Sequence, residues 1–253
     1  MSDTREHDER ITAMFDRVAP RYDFLNRVLS LRRDVGWRRR AVAAARLGPG
    51  ERALDVGTGT GDLAFDLLAV SDPTARVTGV DLSDRMVALA RQRAASRGFA
   101  ERYDTARADG QRLPYADASF DRVVASFAVR NFGDLAAGLR EMRRVLRSGG
   151  RAVILELSTP PNPILRFVYG VYFGRLVPRI AALLGGDEAA YGYLPRSVAA
   201  FPAPERVATL LRDAGFAQVR FERLTFGAVT LHVAETATRQ YPDVEGASRA
   251  SDG

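Results

Sequence analysis

The residues best suited to chemistry begin with a glycine-rich turn after an apolar strand. The segment Ala53-Leu54-Asp55-Val56 runs directly into Gly57-Thr58-Gly59-Thr60-Gly61-Asp62. Glycines at alternate positions let the backbone turn sharply, adopt positive φ values and come within contact distance of a ligand. The turn therefore predicts a nucleotide site, and a tight turn that binds no ligand is the structural alternative.

A carboxylate follows at the end of the next predicted strand. Asp81 lies about 20 residues beyond the glycines, where nucleotide-binding folds place an acid that accepts hydrogen bonds from both ribose hydroxyls. Each such bond is worth about 1.5–3 kcal/mol because the acceptor is charged. Capping of the next helix is the alternative role, but Ser83 already offers a cap. We therefore expect Asp81 to bind a ribose.

The glycine spacing distinguishes between nucleotides. The order here is G-x-G-x-G followed by Asp62, whereas a dinucleotide site usually has G-x-G-x-x-G, which lets a pyrophosphate lie on a helix N-terminus. A further negative charge at the turn disfavours a pyrophosphate and suits the cationic sulfonium and amino groups of S-adenosylmethionine. Asp109 and Gly110, after the third strand, suit an adenine ring, and Ser126 follows the fourth strand into the same crevice.

These residues are held by short apolar runs that alternate with amphipathic helical stretches, a pattern typical of an α/β fold with a parallel sheet covered on both faces. The predicted strands are 52–56, 76–81, 103–108, 121–126, 151–156, 216–224 and 229–235. The predicted helices are 12–29, 36–47, 62–70, 85–96, 135–146 and 204–214, with Ser83 as an N-cap and Gly149-Gly150 at the end of the fifth.

The composition of the chain excludes several kinds of site and several classes of protein. The 253 residues, 46% hydrophobic and 27% charged, predict a flexible N-terminus over 1–12, a single domain over 13–237 and a flexible tail over 238–253, with no chemistry in either terminus. The absence of cysteine excludes disulfides and thiolate catalysis, and with only His7 and His232 no metal site is expected. No apolar run approaches the roughly 20 residues of a membrane span, and the charged start is unlike a secretory signal, so a cytoplasmic location is expected.

Several segments together resemble the class I S-adenosylmethionine-dependent methyltransferases, and more narrowly the demethylmenaquinone and ubiquinone-precursor C-methyltransferases. Outside the cofactor motifs the matching segments are 22–26 with Ser30 and Trp37, 130–134, 144–150 leading to 156–158, and 191–197 with 201–202. The resemblance runs from about Met14 to Glu235. Three positions depart from it, since Leu25, Asp34 and Gly133 stand where the family usually has methionine, histidine and threonine.

The resemblance implies a Rossmann-like seven-stranded sheet with helices on both faces, a closing antiparallel hairpin and an inserted helical lid at about 160–200. It also implies cofactor contacts from Thr60, Asp81, Asp109, Gly110 and Ser126, with Gly57, Gly59 and Gly61 shaping the loop. The implied reaction methylates a ring carbon of 2-demethylmenaquinol and yields menaquinol. A ubiquinone precursor or another small aromatic or polyketide acceptor stays open, because Asp34 lies in the region expected to cover the active site.

Candidate catalytic residues follow from this resemblance. Arg130 and Asn131 are placed to stabilise a phenolate, and Tyr22 and Asp23, together with Asn26, would close the pocket. Tyr191, Tyr193 and His232 are candidates for binding the head group. The alternatives are an ion pair between Arg130 and Asp134 at the start of a helix, a capping role for Asp23 and a core position for His232. No single residue is identified as a general base.

The apolar, aromatic segment 160–186 is interleaved with arginines. It is suited to hold a polyprenyl tail and to rest peripherally on the inner face of an anionic membrane, whereas an ordinary helix that covers the core is the alternative. A homodimer is a further partner prediction. The net charge of +6 is spread over helical faces, so nucleic acid is not an expected partner. A basic nucleic-acid-binding module without catalysis is the competing function from another class.

Overall fold

A computed structural model describes residues 2–19, 22–177, 179 and 188–238 of the chain. The strands are β1 Arg52–Val56, β2 Arg76–Asp81, β3 Tyr103–Arg107, β4 Phe120–Ser126, β5 Leu146–Leu157, β6 Gln218–Leu224 and β7 Val229–Glu235. They form one seven-stranded sheet in the order β3-β2-β1-β4-β5-β7-β6. The pairs among β1 to β5 are parallel, and β7 runs antiparallel to both β5 and β6. The predicted α/β fold class is confirmed.

Helices precede, connect and follow these strands. They are α1 Ser2–Val18, α2 Tyr22–Leu29, α3 Arg33–Ala45, α4 Asp62–Val70, α5 Asp84–Ser96, α6 Leu135–Val145, α7 Pro163–Val171, α8 Glu188–Ala200 and α9 Pro204–Asp213. Short 3-10 turns occupy Val129–Asn131 and Thr225–Gly227, and a π-helical turn, Tyr172–Leu176, follows α7. Ser83 caps α5 as predicted, because its Oγ accepts a hydrogen bond from the Met86 N–H at 3.0 Å.

The core lies on both faces of the sheet, because successive side chains of a strand point to opposite faces. In β5, Val153 and Leu155 join one buried apolar cluster, whereas Ala152 and Ile154 join the other. Such double-sided burial is typical of parallel strands. It fixes the carboxyl ends of β1, β4 and β5 at one edge of the molecule, where the predicted site residues lie.

The structure corrects the predicted bounds of the first helix and the predicted place of Gly149-Gly150. The predicted helix 12–29 is divided into α1 and α2, and α1 already begins at Ser2, because Ile11 and Met14 on it are buried against the domain. Gly149-Gly150 does not end α6, which stops at Val145; the pair lies within β5, where the register to β4 shifts. The tail beyond residue 238 lies outside the described residues, and the division of the chain into domain and termini stays a prediction.

The predicted lid contains α7 and the π-helical turn, while residues 178 and 180–187 lie outside the described part. Within the described ranges, none of the helices combines the length and the apolar composition needed to cross a bilayer.

Candidate active site

A cavity of about 400 Å³ opens at the carboxyl edge of the sheet. One side, called the polar wall here, consists of Asp55, Gly57, Gly59, Thr60, Ser126 and Arg130. The opposite side, called the apolar wall, consists of Leu31, Leu165, Val168, Tyr169, Tyr172 and Phe226. A second cavity of about 70 Å³ shares Gly57, Gly59 and Ser126 with the first and is also lined by Asp81, Ala108 and Gly110. The two cavities therefore meet at the glycine turn.

The glycine turn adopts the backbone conformation that its sequence predicts. Gly57 has φ +69°, and a Cβ there would collide with the Cβ of Ala128. Gly59 has φ +54°, and a Cβ built on it meets no atom within 4 Å, since this residue borders both cavities. A side chain at either position would be strained. The turn thus leaves open space where a ligand can approach the backbone.

Asp81 is held in place by the turn itself. Its Oδ2 accepts the Gly59 N–H at 2.9 Å, and its Oδ1 accepts the Ser83 N–H at 3.0 Å. Burial raises the pKa of this carboxyl, while the two N–H groups oppose the shift. An ionised carboxylate has about four acceptor positions, so two remain for ribose hydroxyls. The contacts agree with the predicted role without testing it.

Asp55 is a site residue that the sequence analysis did not single out. It is buried at the end of β1 and lines the larger cavity. Its Oδ2 accepts the Thr58 hydroxyl at 2.8 Å, whereas its Oδ1 has no partner among the described residues. Burial raises its pKa to about 7. An acceptor of this kind fits a ligand that brings a cationic donor, such as the amino group of S-adenosylmethionine.

The negative charge of Asp62 at the glycine turn is compensated, whereas the sequence predicted that it adds a negative charge there. Its carboxylate pairs with Arg93 at 2.5 Å and lies 3.6 Å from Arg38. Burial alone would raise its pKa, but the two guanidinium groups lower it. Arg38 in turn bonds Asp34 and Asp66, each at 2.7 Å. The turn therefore carries less uncompensated negative charge than the sequence predicted.

Arg130 is a buried cation with a buried partner. Its Nη1 donates to Glu156 Oε1 at 2.8 Å and to the Phe127 carbonyl oxygen, and its backbone N–H donates to Glu156 Oε2 at 3.1 Å. Glu156, at the end of β5, also accepts the Leu157 N–H at 2.8 Å. The sequence analysis did not assign Glu156 a role, although an acid at the carboxyl end of a buried strand is a recognisable signal. The alternative pair with Asp134 is wrong, since Asp134 caps α6 through the Ala137 N–H.

Asn131 lies between two helices that cover the site. Its carbonyl oxygen lies 3.1 Å from His7 Nε2 of α1, and its Oδ1 accepts the Tyr193 hydroxyl of α8 at 3.2 Å. On α1, Ile11, Thr12 and Phe15 line the smaller cavity. Ile11 and Thr12 therefore border the candidate site, whereas the expectation that the first residues carry no chemistry stays a prediction.

Two other predicted residues lie away from the cavities. The Asp109 carboxylate accepts the Gln111 N–H at 2.8 Å and lines neither cavity, whereas the adjacent Ala108 and Gly110 line the smaller one. His232 is buried beside α9, where its Nε2 lies 3.0 Å from the Pro204 carbonyl oxygen, so its alternative as a core residue is confirmed. The side chains of Tyr22, Asp23, Asn26 and Tyr191 lie outside the described part of the structure.

Comparison with curated proteins reveals close relatives. A demethylmenaquinone methyltransferase of Deinococcus radiodurans is 45% identical over 235 residues, covering 93% of this chain and 96% of the relative. One of Thermus thermophilus is 47% identical over 222 residues, covering 88% and 99%. A ubiquinone/menaquinone biosynthesis C-methyltransferase UbiE of Geobacter sulfurreducens is 44% identical over 230 residues, covering 91% and 90%.

Solved structures share the fold. A SAM-dependent methyltransferase from Aquifex aeolicus has a TM-score of 0.59 at 17% identity, covering 79% of this chain and 89% of that one. A SAM-dependent methyltransferase from Thermotoga maritima, described as a possible histamine N-methyltransferase, has a TM-score of 0.61 at 20% identity, covering 88% and 99%. At these identities the likeness shows the fold alone.

The sequence model of the ubiE/COQ5 methyltransferase family matches residues 3–236. The match includes the glycine turn, both walls of the larger cavity and α1. It agrees with the identities of 44–47% to the three relatives above. The chain therefore belongs to the ubiE/COQ5 methyltransferase family, and the predictions of the family, of a methyltransferase and of S-adenosylmethionine as its cofactor are confirmed.

Proposed function

We propose that the chain transfers a methyl group from S-adenosylmethionine to a ring carbon of 2-demethylmenaquinol, the step of menaquinone biosynthesis that yields menaquinol. The observation that supports this most is a single cavity with two unlike walls. The polar wall brings the glycine turn, Thr60, Ser126 and the Arg130 guanidinium to the carboxyl ends of the strands, and the apolar wall offers aromatic and aliphatic surface. A charged cofactor and an apolar acceptor can thus meet in one space.

The cofactor is assigned to the polar wall and the smaller cavity. Asp81 would accept the ribose hydroxyls, and Ala108 and Gly110 would lie against the adenine ring, with Asp109 next to them. Thr60, Ser126 and the glycines Gly57, Gly59 and Gly61 would border the rest, with Asp55 accepting from the amino group. When bound, S-adenosylmethionine supplies an electrophilic methyl group on a sulfonium.

The acceptor is assigned to the space between Arg130 and the apolar wall. The hydroxyl next to the ring carbon would lose its proton to water, and Arg130 would donate to the resulting phenolate oxygen and stabilise it. After methyl transfer the ring carbon would lose its own proton and the oxygen would be protonated again, so one proton is released overall. Glu156 compensates the charge of the guanidinium, so the pair orients a donor without adding a net positive charge beside a sulfonium. Burial raises the pKa of the Tyr169 hydroxyl, which keeps this residue protonated and neutral in the same wall.

Most of the rate enhancement of methyl transfer would come from alignment in a closed, dry site. Direct displacement needs the sulfonium sulfur, the methyl carbon and the acceptor carbon in line. Asn131 would support this closure through its contacts with α1 and α8, and we propose Tyr22 and Asp23 of α2 as further residues that close the pocket. We also propose a polyprenylated quinol as the form of the substrate, a peripheral location on the inner face of the membrane, and a homodimer.

The experiment that tests the proposal presents the purified chain with reduced demethylmenaquinone and, separately, with a ubiquinone precursor. Product mass is followed after addition of S-adenosylmethionine. Methylation of the first acceptor at the higher kcat/KM supports the proposal. Preference for the ubiquinone precursor, or no product from either acceptor, would contradict it.

A further inference from the structure

Helix α7 has a wide apolar arc, of which one part faces the cavity and the neighbouring part is exposed. Leu165, Val168 and Tyr169 face the cavity and line the apolar wall. Ile164, Phe167 and Val171 recur at positions i, i+3 and i+7 and are exposed by 72%, 73% and 40%. None of the residues of this helix is buried. An exposed apolar helix face is normally covered by protein or by lipid, so the outer face of α7 calls for a cover that the described residues do not provide.

The exposed apolar surface continues around the opening of the cavity. Leu31, after α2, is 71% exposed, and Phe226, in the turn before β7, is 78% exposed; both also belong to the apolar wall. Leu176, in the π-helical turn that follows α7, is 46% exposed. The mouth surface, as it is called here, consists of Leu31, Ile164, Phe167, Val171, Leu176 and Phe226. Several large exposed apolar residues gathered around the opening of a cavity mark a site of interaction.

The surroundings of the mouth surface are positively charged. Arg32 and Arg33 are exposed next to Leu31, and Arg166 and Arg175 are exposed on the segment that carries α7. The described side chains of 27–33, 160–177 and 224–228 contain no carboxylate. An apolar surface ringed by arginines has the composition of an interfacial element that inserts its apolar residues among acyl chains and places its cations among anionic headgroups.

We propose that the mouth surface docks on a bilayer with anionic headgroups, and that a polyprenyl-tailed acceptor enters the cavity from that bilayer. The identity of the acceptor rests on the proposed function, whereas the docking rests on the surface alone. A bilayer is favoured over a second copy of the chain because Leu31 and Phe226 belong to both the rim and the cavity wall. A second copy seated there would close the opening through which the acceptor has to pass.

The test compares Phe167→Asp and Ile164→Asp with Val70→Asp. Neither Phe167 nor Ile164 lines the cavity, and Val70, 72% exposed at the end of α4, is a matched control. Full-length proteins are sedimented with vesicles of phosphatidylcholine alone and of phosphatidylcholine mixed with phosphatidylglycerol. We expect the wild type to bind the mixed vesicles, with an affinity that falls as salt is added, and both α7 variants to bind at least about tenfold more weakly.

Activity is then measured in two ways, with a demethylmenaquinol that lacks the polyprenyl tail and with the long-tailed form embedded in the mixed vesicles. The α7 variants should retain turnover on the tail-less acceptor and lose it on the embedded one, whereas Val70→Asp should resemble the wild type in both. Wild-type vesicle binding by Phe167→Asp would overturn the proposal. The proposal would also be overturned if the wild type is a dimer in solution without vesicles and Phe167→Asp is a monomer. A second copy of the chain, and not a bilayer, would then cover the mouth surface.

The docking on a bilayer and the proposed function can be refuted independently of each other. A wild type that sediments with vesicles but methylates neither form of the acceptor would refute the proposed function and leave the docking surface standing. Full turnover on both forms without vesicle binding would refute the docking and leave the function standing. Thermal unfolding of each variant verifies that the exposed substitutions preserve the fold.

Discussion

The two walls of the cavity are built in opposite ways. The polar wall lies at the ends of buried strands, where Arg130 is fixed by its hydrogen bonds to Glu156, and the neighbouring Asp81 is fixed by two backbone N–H groups. The apolar wall lies on α7 and on connecting turns, and Leu31 and Phe226 in it are largely exposed. A site on buried strands holds its geometry, whereas a surface helix depends on what covers it.

We therefore expect the polar wall to determine methyl transfer and cofactor binding, and the apolar wall to determine how the acceptor enters the cavity. Substitutions in the polar wall should change turnover or cofactor affinity equally for every acceptor. Substitutions in or behind the apolar wall should act through the KM of the acceptor. Variants of the two walls should therefore differ in whether turnover, cofactor affinity or the KM of the acceptor changes.

Arg130→Ala removes the donor proposed to stabilise the developing phenolate, so turnover on a tail-less acceptor should fall by about 100-fold to 1000-fold with little change in cofactor affinity. The variant also leaves Glu156 buried without its cation, which should cost about 3–5 kcal/mol of folding free energy. Steady-state kinetics and thermal unfolding measure the two effects.

Arg130→Met combined with Glu156→Gln is the matched control for that variant, because it removes the uncompensated charge and keeps an acceptor for the Arg130 and Leu157 N–H groups, so it should recover part of the stability without restoring turnover. Recovery of turnover together with stability would show that Arg130 is only structural. Arg130 would then have no role in stabilising the phenolate.

Asp81→Ala should weaken S-adenosylmethionine binding by about tenfold to a hundredfold, because charged hydrogen bonds to the ribose are lost. Isothermal titration calorimetry measures the change. Asp84→Ala is the control, since Asp84 is an exposed acid three residues further along that pairs with Arg107. Equal affinities of the wild type and Asp81→Ala would remove the ribose assignment.

The raised pKa of Asp55 gives cofactor binding a pH dependence. Burial keeps this carboxyl protonated below about pH 7, whereas a cationic amino group favours the ionised form. Binding should therefore strengthen as the pH rises through 7 and be about tenfold weaker at pH 6 than at its plateau. The ligand-free fold should show the opposite trend, because a raised carboxyl pKa contributes stability that is lost as the pH rises.

Asp55→Asn should flatten the pH dependence of the Kd between pH 6 and 7, because the amide does not titrate there. Calorimetry at several pH values measures it. A wild-type profile in the variant would show that another group is responsible and would remove Asp55 from the assigned contacts.

Trp37→Phe should have the smallest effect. The indole N–H donates to the Thr225 hydroxyl at 2.8 Å and ties α3 to the turn that carries Phe226 of the apolar wall. Loss of one such bond should raise the KM of the acceptor by about fivefold and leave kcat unchanged. Thr225→Val breaks the same bond and should give the same result. A lowered kcat in both variants would show that the two walls are coupled.

The sequence predicted the parts of the site that depend on local spacing. The glycine turn, Asp81 and the Ser83 cap lie within one strand-turn-helix-strand unit, and their conformations follow from residue type and position. Ser126 follows in the same way, because the carboxyl ends of parallel strands share one edge.

Other features depend on contacts between distant segments. Arg130 meets Glu156 because β4 and β5 pair in parallel, with Ser126 beside Leu155. Asp62 is compensated by Arg38 of α3 and Arg93 of α5, which its local sequence does not reveal. His232 lies in the core because the hairpin register places it beside α9. Spacing along the chain carries none of this information.

Transfer to the ring carbon can be measured by following an isotopically labelled methyl group from S-adenosylmethionine to a tail-less demethylmenaquinol and locating it in the product by NMR. The label should be bonded to the ring carbon next to a hydroxyl-bearing carbon, and Arg130→Ala should slow its appearance there. Label on a hydroxyl oxygen, or no label in the product while the cofactor is bound, would contradict it.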